Sequence, residues 1–163
     1  MARKNYFHYA GATVLGMHDA LVSLTGLIAG LTFALADRYT IILTSIIASI
    51  TASLSMGASN YLAMRANGVP HPITAALYTG TAYTVTCVAL IMPFFILSDI
   101  FTAMWLSMLI AIIIIFLFNF ILGRIQHRPF IKKFIEMLAV CTIVSVVAFG
   151  IGWCANVFLG INA

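Results

Sequence analysis

Charge is what this sequence has least of. Only four acidic and eight basic residues occur among 163, and charged residues make up 7% of the chain against 63% apolar. A soluble domain carries about 25% charge. A water-facing fold is therefore excluded, and a mean hydropathy of +1.12 places the chain among integral membrane proteins. Cysteine is scarce too. Cys87, Cys141 and Cys154 are odd in number and all sit in apolar runs, which argues for reduced packing residues rather than a disulfide framework or a metal motif. The basic residues are too few to build a nucleic-acid surface, so no nucleic-acid partner is expected. Neither an H-E-x-x-H zinc pair nor a G-x-S-x-G nucleophile turn occurs, and the chain does not read as an enzyme.

What is present is a series of long apolar runs. A helix needs about 20 apolar residues to cross the hydrocarbon core, and the chain divides at its charges, glycines and prolines into five such segments. They lie near residues 10–36, 40–64, 73–97, 100–122 and 134–160. The expected fold is an all-α integral membrane protein, one transmembrane domain over residues 1–163. Arg3, Lys4, Arg65, Arg124, Arg128, Lys132 and Lys133 fall on one side of an alternating path, and only Arg38 on the other. The positive-inside rule then makes the N-terminus cytoplasmic and the C-terminus outside or lumenal. The first segment is not read as a signal peptide, because it is too long for an h-region and an aspartate interrupts it.

That aspartate, Asp19, is the one acidic residue well inside an apolar segment. A carboxylate near the bilayer centre costs roughly 3 kcal/mol on insertion scales, and such residues face a cavity, a partner or a transported ion. Ala12, Gly16, Asp19, Ser23, Gly26 and Gly30 recur at alternating spacings of four and three, which puts them on one small, polar helix face. Gly26 and Gly30 form a small-xxx-small pair suited to close helix contact. The same stripe suggests a homodimer with its first helices near a two-fold axis, in which Gly16, Ser23, Gly26 and Gly30 pack and the two Asp19 side chains approach each other.

On the second segment, Ser45, Ser49, Ala52, Met56, Ser59 and Ala63 form a similar stripe with Asn60 at its edge. Met56 lies nine residues from Arg65, and Asp19 nine from Ala10, so both are about 13 Å from the cytoplasmic face at the rise of an α-helix. A carboxylate alone suits Mg²⁺, Ca²⁺ or Mn²⁺, whereas a thioether favours later first-row metals. Fe²⁺ fits the combination. Met56 also has an ordinary reading as a gap-filling core residue.

Two stretches carry a family resemblance. Val14-Leu15-Gly16-Met17-His18-Asp19-Ala20-Leu21-Val22-Ser23 resembles the first-helix pattern of the vacuolar iron transporter family, a Gly, two residues, then Asp-Gly-Leu-Val-Ser/Thr. Leu54-Ser55-Met56-Gly57-Ala58-Ser59-Asn60-Tyr61-Leu62-Ala63 resembles its Ser-Met-Ala-Ala-Gly-Glu-Tyr-Leu-Ser. Fainter likeness runs through residues 72–93 and 136–152. The resemblance implies a homodimeric five-helix transporter that moves Fe²⁺, often Mn²⁺ too, out of the cytoplasm in exchange for protons, in a bacterial inner membrane or a vacuole-like organelle. It implies no permanently bound cofactor, and it makes Asp19 and Met56 metal ligands contributed by both protomers. Asn60 stands where the family has glutamate, Ala20 where it has glycine, and the family's glutamate-rich cytoplasmic insertion is absent. Asn60 offers a neutral carbonyl in place of a carboxylate, so metal binding is expected to be weaker, and Asn60→Glu to strengthen it. His18 could compensate as a ligand or proton relay, although adjacent helix residues point about 100° apart; its other reading is a hydrogen-bonded packing role. The alternative to transport is a non-transporting membrane assembly subunit in which Asp19 bonds a partner helix.

The remaining polar residues suggest less. Tyr78, Thr79, Tyr83 and Thr86 give the third segment a polar side, read as helix contact. Glu136 stands at helical spacing from Lys132 and Lys133, which suggests an interfacial ion pair. Trp105 reads as an interfacial anchor and Trp153 as a packing residue.

Overall fold

A computed structural model describes residues 2–34, 37–126 and 130–159. Ala36, Arg128 and Gly160, and the side chains of Arg3 and Lys4, lie outside the described residues. The chain folds into α1 (Ala2–Phe33), α2 (Arg38–Ala66), α3 (Pro72–Ile96), α4 (Ile100–Gln126) and α5 (Phe130–Leu159). All five are long and apolar enough to cross a membrane. The chain is an all-α integral membrane protein, and the five segments read from hydropathy are its five helices.

The charges that break the apolar runs also start the next helix. Asp37 accepts from the Tyr39 and Thr40 amides at 2.9 and 3.1 Å, satisfying donors that the first turn of α2 cannot pair. Those bonds and one from the Thr40 hydroxyl hold the Asp37 carboxyl below the usual carboxylate range. Asp99 does the same for α4 through the Thr102 amide at 2.8 Å. Between α2 and α3 only Asn67 to His71 intervene. Gly68 makes that turn at φ 64°, a left-handed conformation that costs glycine nothing, and Pro72 opens α3 at its first turn, where its missing N–H is not needed.

Helices α2, α3 and α4 each touch the next, and α1 touches all four others. The core follows from that arrangement. Ala20, Leu21, Leu24 and Ile28 of α1 are buried against Ile41 of α2, Leu90 and Phe94 of α3, and Ala103 and Ile115 of α4. The outward faces, such as Leu43, Ile47, Leu54 and Leu62 of α2, are apolar and exposed, as a lipid-facing surface requires.

Several side chains depart from the sequence reading. Trp153 is 58% exposed rather than packed, and Cys154 is exposed while Cys87 and Cys141 are buried. Both exceptions belong to α5, which has large exposed residues along its length, from Ile131 to Phe158. The buried stripe of α2 runs through Ser45, Ser49, Ser53 and Asn60, with Ser59 and Ala63 outside it. On α3, Thr79, Tyr83 and Thr86 are buried, whereas Tyr78 faces out.

Candidate functional site

The small-residue face of α1 divides between two neighbours. In its N-terminal half it meets α3. A side chain at Gly16 would overlap the Thr79 carbonyl oxygen, so glycine there sets the α1–α3 distance. The Thr79 hydroxyl reaches the carbonyls of Ala12 and Ala75, both at 3.1 Å, and accepts from Asn60 Nδ2 at 2.6 Å. Asn60 Nδ2 also lies 3.3 Å from the Ala75 carbonyl. One buried knot therefore ties α1, α2 and α3. Farther along, the Ser23 hydroxyl donates to the Asp19 carbonyl at 2.7 Å and lies 2.8 Å from the Tyr83 hydroxyl. Since its one proton is on Asp19, Tyr83 is the donor to Ser23.

In its C-terminal half the same face meets α5. A Cβ at Gly26 would stand 3.1 Å from Val144 Cγ1, one at Gly30 would stand 3.2 Å from the Ala148 carbonyl oxygen, and one at Gly152 would stand 2.5 Å from the Gly30 carbonyl oxygen. The close approach that these glycines permit is made inside one chain. Gly16, Gly26 and Gly30 thus pack against α3 and α5 of their own chain.

This contact fixes the register of α5 on α1. Gly26 is level with Val144, so at the rise of a helix Asp19 and Met137 share a level about 10 Å closer to the N-terminal ends of the two helices. There the small residues give way to Leu15, His18, Asp19 and Val22, and the helices part. The result is a cleft of about 520 Å³, lined among others by His18, Asp19, Asn119, Lys133, Glu136 and Met137. Asp19 is half-buried on its wall. His18 shares the cleft in spite of its angular offset. Its ring stands edge-on to Phe118, 5.9 Å between centroids, and its Nε2 is buried with no hydrogen-bond partner among the described residues.

Of the residues expected to hold metal, the structure brings His18 and Asp19 into this cleft. Met56 is half-buried against the core, and neither it nor Asn60 is among the cleft's lining. Asn60 is instead 4% exposed and held by Thr79 and Ala75. Among the described residues, no three His, Cys, Asp or Glu side chains gather closely enough to hold a metal ion. The sequence reading did not place Asn119, Lys133, Glu136 and Met137 on one cleft with Asp19; it read Glu136 as an interfacial partner of Lys132 and Lys133, and Glu136 is exposed. Asn119 carried a signal of its own, a lone amide in the apolar run Ile112 to Leu122.

The sequence pattern behind this architecture has relatives. A sequence model of the VIT family matches residues 10–68 and 65–153, which takes in all five helices. The chain belongs to the VIT family. As a member of this vacuolar iron transporter family it is a membrane protein of metal-ion transport, and the family is one of transporters rather than enzymes. No curated protein matches the chain.

Proposed function

We propose that this VIT-family protein carries Fe²⁺, and Mn²⁺ as a second substrate, out of the cytoplasm in exchange for protons. Asp19 carries the reading. It is a carboxylate at membrane depth that lines an open, partly polar cleft, the setting in which an intramembrane charge is expected to act on an ion. The N-terminus is assigned to the cytoplasm from the basic residues clustered on that side. A homodimer is part of the proposal, with the first helices meeting along the strip of α1 that includes Gly11 and Leu15, both exposed in the single chain. Because Met56 lies off its own protomer's cleft, its pairing with Asp19 is proposed across that dimer. Proximity of two carboxylates would favour holding a proton when no metal is present, which suits exchange.

The rival reading, an assembly subunit, drew on the small-residue stripes, and their contacts are made within the chain. Flux decides between the two. Purified protein in liposomes should accumulate Fe²⁺ or Mn²⁺ against a proton gradient, and Asp19→Asn should abolish that uptake while leaving the folded oligomer intact. Unchanged flux through the Asn variant would remove Asp19 from the mechanism.

A further inference from the structure

A second cavity, of about 420 Å³, lies between α1, α4 and α5 at the end of the bundle that bears the N-terminus of α4. Its chemistry differs from that of the Asp19 cleft. None of its described lining is charged, and the hydroxyls of Thr25 and Thr142 donate to the Leu21 and Leu138 carbonyls of their own helices, which leaves them no proton for a ligand. The cavity is a groove rather than a closed void. Ala29, Ala111 and Cys141 at its base are buried, whereas Trp105, Ile112 and Val146 along its lips are exposed. Rings brace it at both ends. Phe33 stands edge-on to Phe101 of α4 and Phe149 of α5, 6.0 and 4.5 Å between centroids, and past the other end Phe116 of α4 stands edge-on to Phe134 of α5 at 5.8 Å. With α4 and α5 held apart in this way, the apolar walls forfeit dispersion contacts until something apolar fills the gap.

We propose that this groove holds one acyl chain of a bilayer phospholipid as a fixed part of the packing between α4 and α5. Place and length select that occupant. All of the lining belongs to stretches able to span a membrane, so hydrocarbon is the medium that meets the open lips. Along α4 the groove runs from Trp105 to Ile115, and along α5 from Phe149 to Leu138, about 15 Å in each case at the rise of a helix. That is half of the roughly 30 Å hydrocarbon layer, the depth that a single leaflet supplies. The groove starts about a turn and a half inside α4, at Trp105, which is 67% exposed and of a residue type enriched at head-group level. A chain entering beside Trp105 lies along the groove with its head group at the surface. The same walls offer an ion no charge to replace its water, and the site is independent of the transport reading.

Lipid retention tests this on the full chain. Native mass spectrometry of protein exchanged through detergent should find one phospholipid kept by each wild-type chain, and Ser145→Leu, which adds bulk on the groove wall, should cut that retention roughly fivefold or more. Ser55→Leu, on the exposed face of α2, should leave it unchanged. A second measurement needs no variant. Wild-type protein reconstituted with a phosphatidylcholine that carries a photoreactive group midway along its acyl chain is passed through detergent to strip loose lipid, then irradiated. Adducts should fall on residues 104–115 and 138–149, several-fold above the exposed α2 face at Leu43, Ile47 and Leu54. Adducts spread evenly over that face and the groove would overturn the proposal whether or not Ser145→Leu folds. A wild-type chain that keeps no phospholipid, or keeps detergent alone, would overturn it as well, and so would equal retention by folded Ser145→Leu. Conversion of a wild-type dimer to monomer by Ser145→Leu with no lipid lost would give the groove to a second copy, against the proposal.

Discussion

At the scale of single residues, position in the sequence motif and position in the molecule part company at Asn60. Motif logic says that restoring glutamate there should strengthen metal binding. The buried setting of Asn60 argues for the opposite outcome. Glutamate would lose the donors that serve Thr79 and the Ala75 carbonyl and would set a carboxylate against that carbonyl at a site 4% exposed. A buried charge without its partner costs about 3 kcal/mol or more. Asn60→Glu should therefore melt well below the parent in detergent and gain no affinity, and a variant as stable as the parent with tighter metal binding would restore the motif reading. Met56 is the opposite case. Its half-buried side chain should accept leucine at a cost under about 1.5 kcal/mol. If its sulfur meets the ion at Asp19 across a dimer, Met56→Leu should weaken Fe²⁺ more than Mn²⁺ in competition uptake. Equal loss for both ions would make Met56 a packing residue only.

At the scale of elements, the glycines of α1 differ in what they face, although their spacing makes them look alike. At Gly16, and at Gly152 of α5, an added methyl group meets backbone carbonyl oxygen, which cannot rotate away. At Gly26 it meets a valine methyl group, which can. Gly16→Ala should thus force α1 from α3 and cost up to ~3 kcal/mol, whereas Gly26→Ala should be nearly silent. Melting temperatures of the two variants in one detergent test this order, and equal losses would mean that α3 and α5 yield alike. The spacing of small residues marked Gly16, Gly26 and Gly30 alike. It did not tell which neighbour each one meets, because a helix face says nothing about which of four possible partners lies against it.

At the scale of the whole molecule, α1 is surrounded by the other four helices yet keeps an exposed strip at Gly11, Leu15 and Ser23. That strip is where a second copy can bring its own α1 close. Leu15→Cys in a Cys154→Ala background should form an oxidised dimer in membranes at a rate far above that of the exposed Ile131→Cys control on α5. Equal rates would move the two-fold axis away from α1.

The sequence by itself determined the membrane class, the five helices and the candidacy of Asp19. These follow from local composition, since a bilayer demands about 20 apolar residues per crossing and makes an internal carboxylate costly. The companions of Asp19 were decided only by the tertiary structure. Glu136, Lys133 and Met137 come to it because Gly26, Gly30 and Gly152 let α1 and α5 touch in their C-terminal halves, and because larger side chains at Leu15, His18 and Val22 line the space where the helices part. No local pattern links residues separated by three intervening helices. Their meeting depends on packing register, a property of two surfaces in contact and not of either strand of sequence alone.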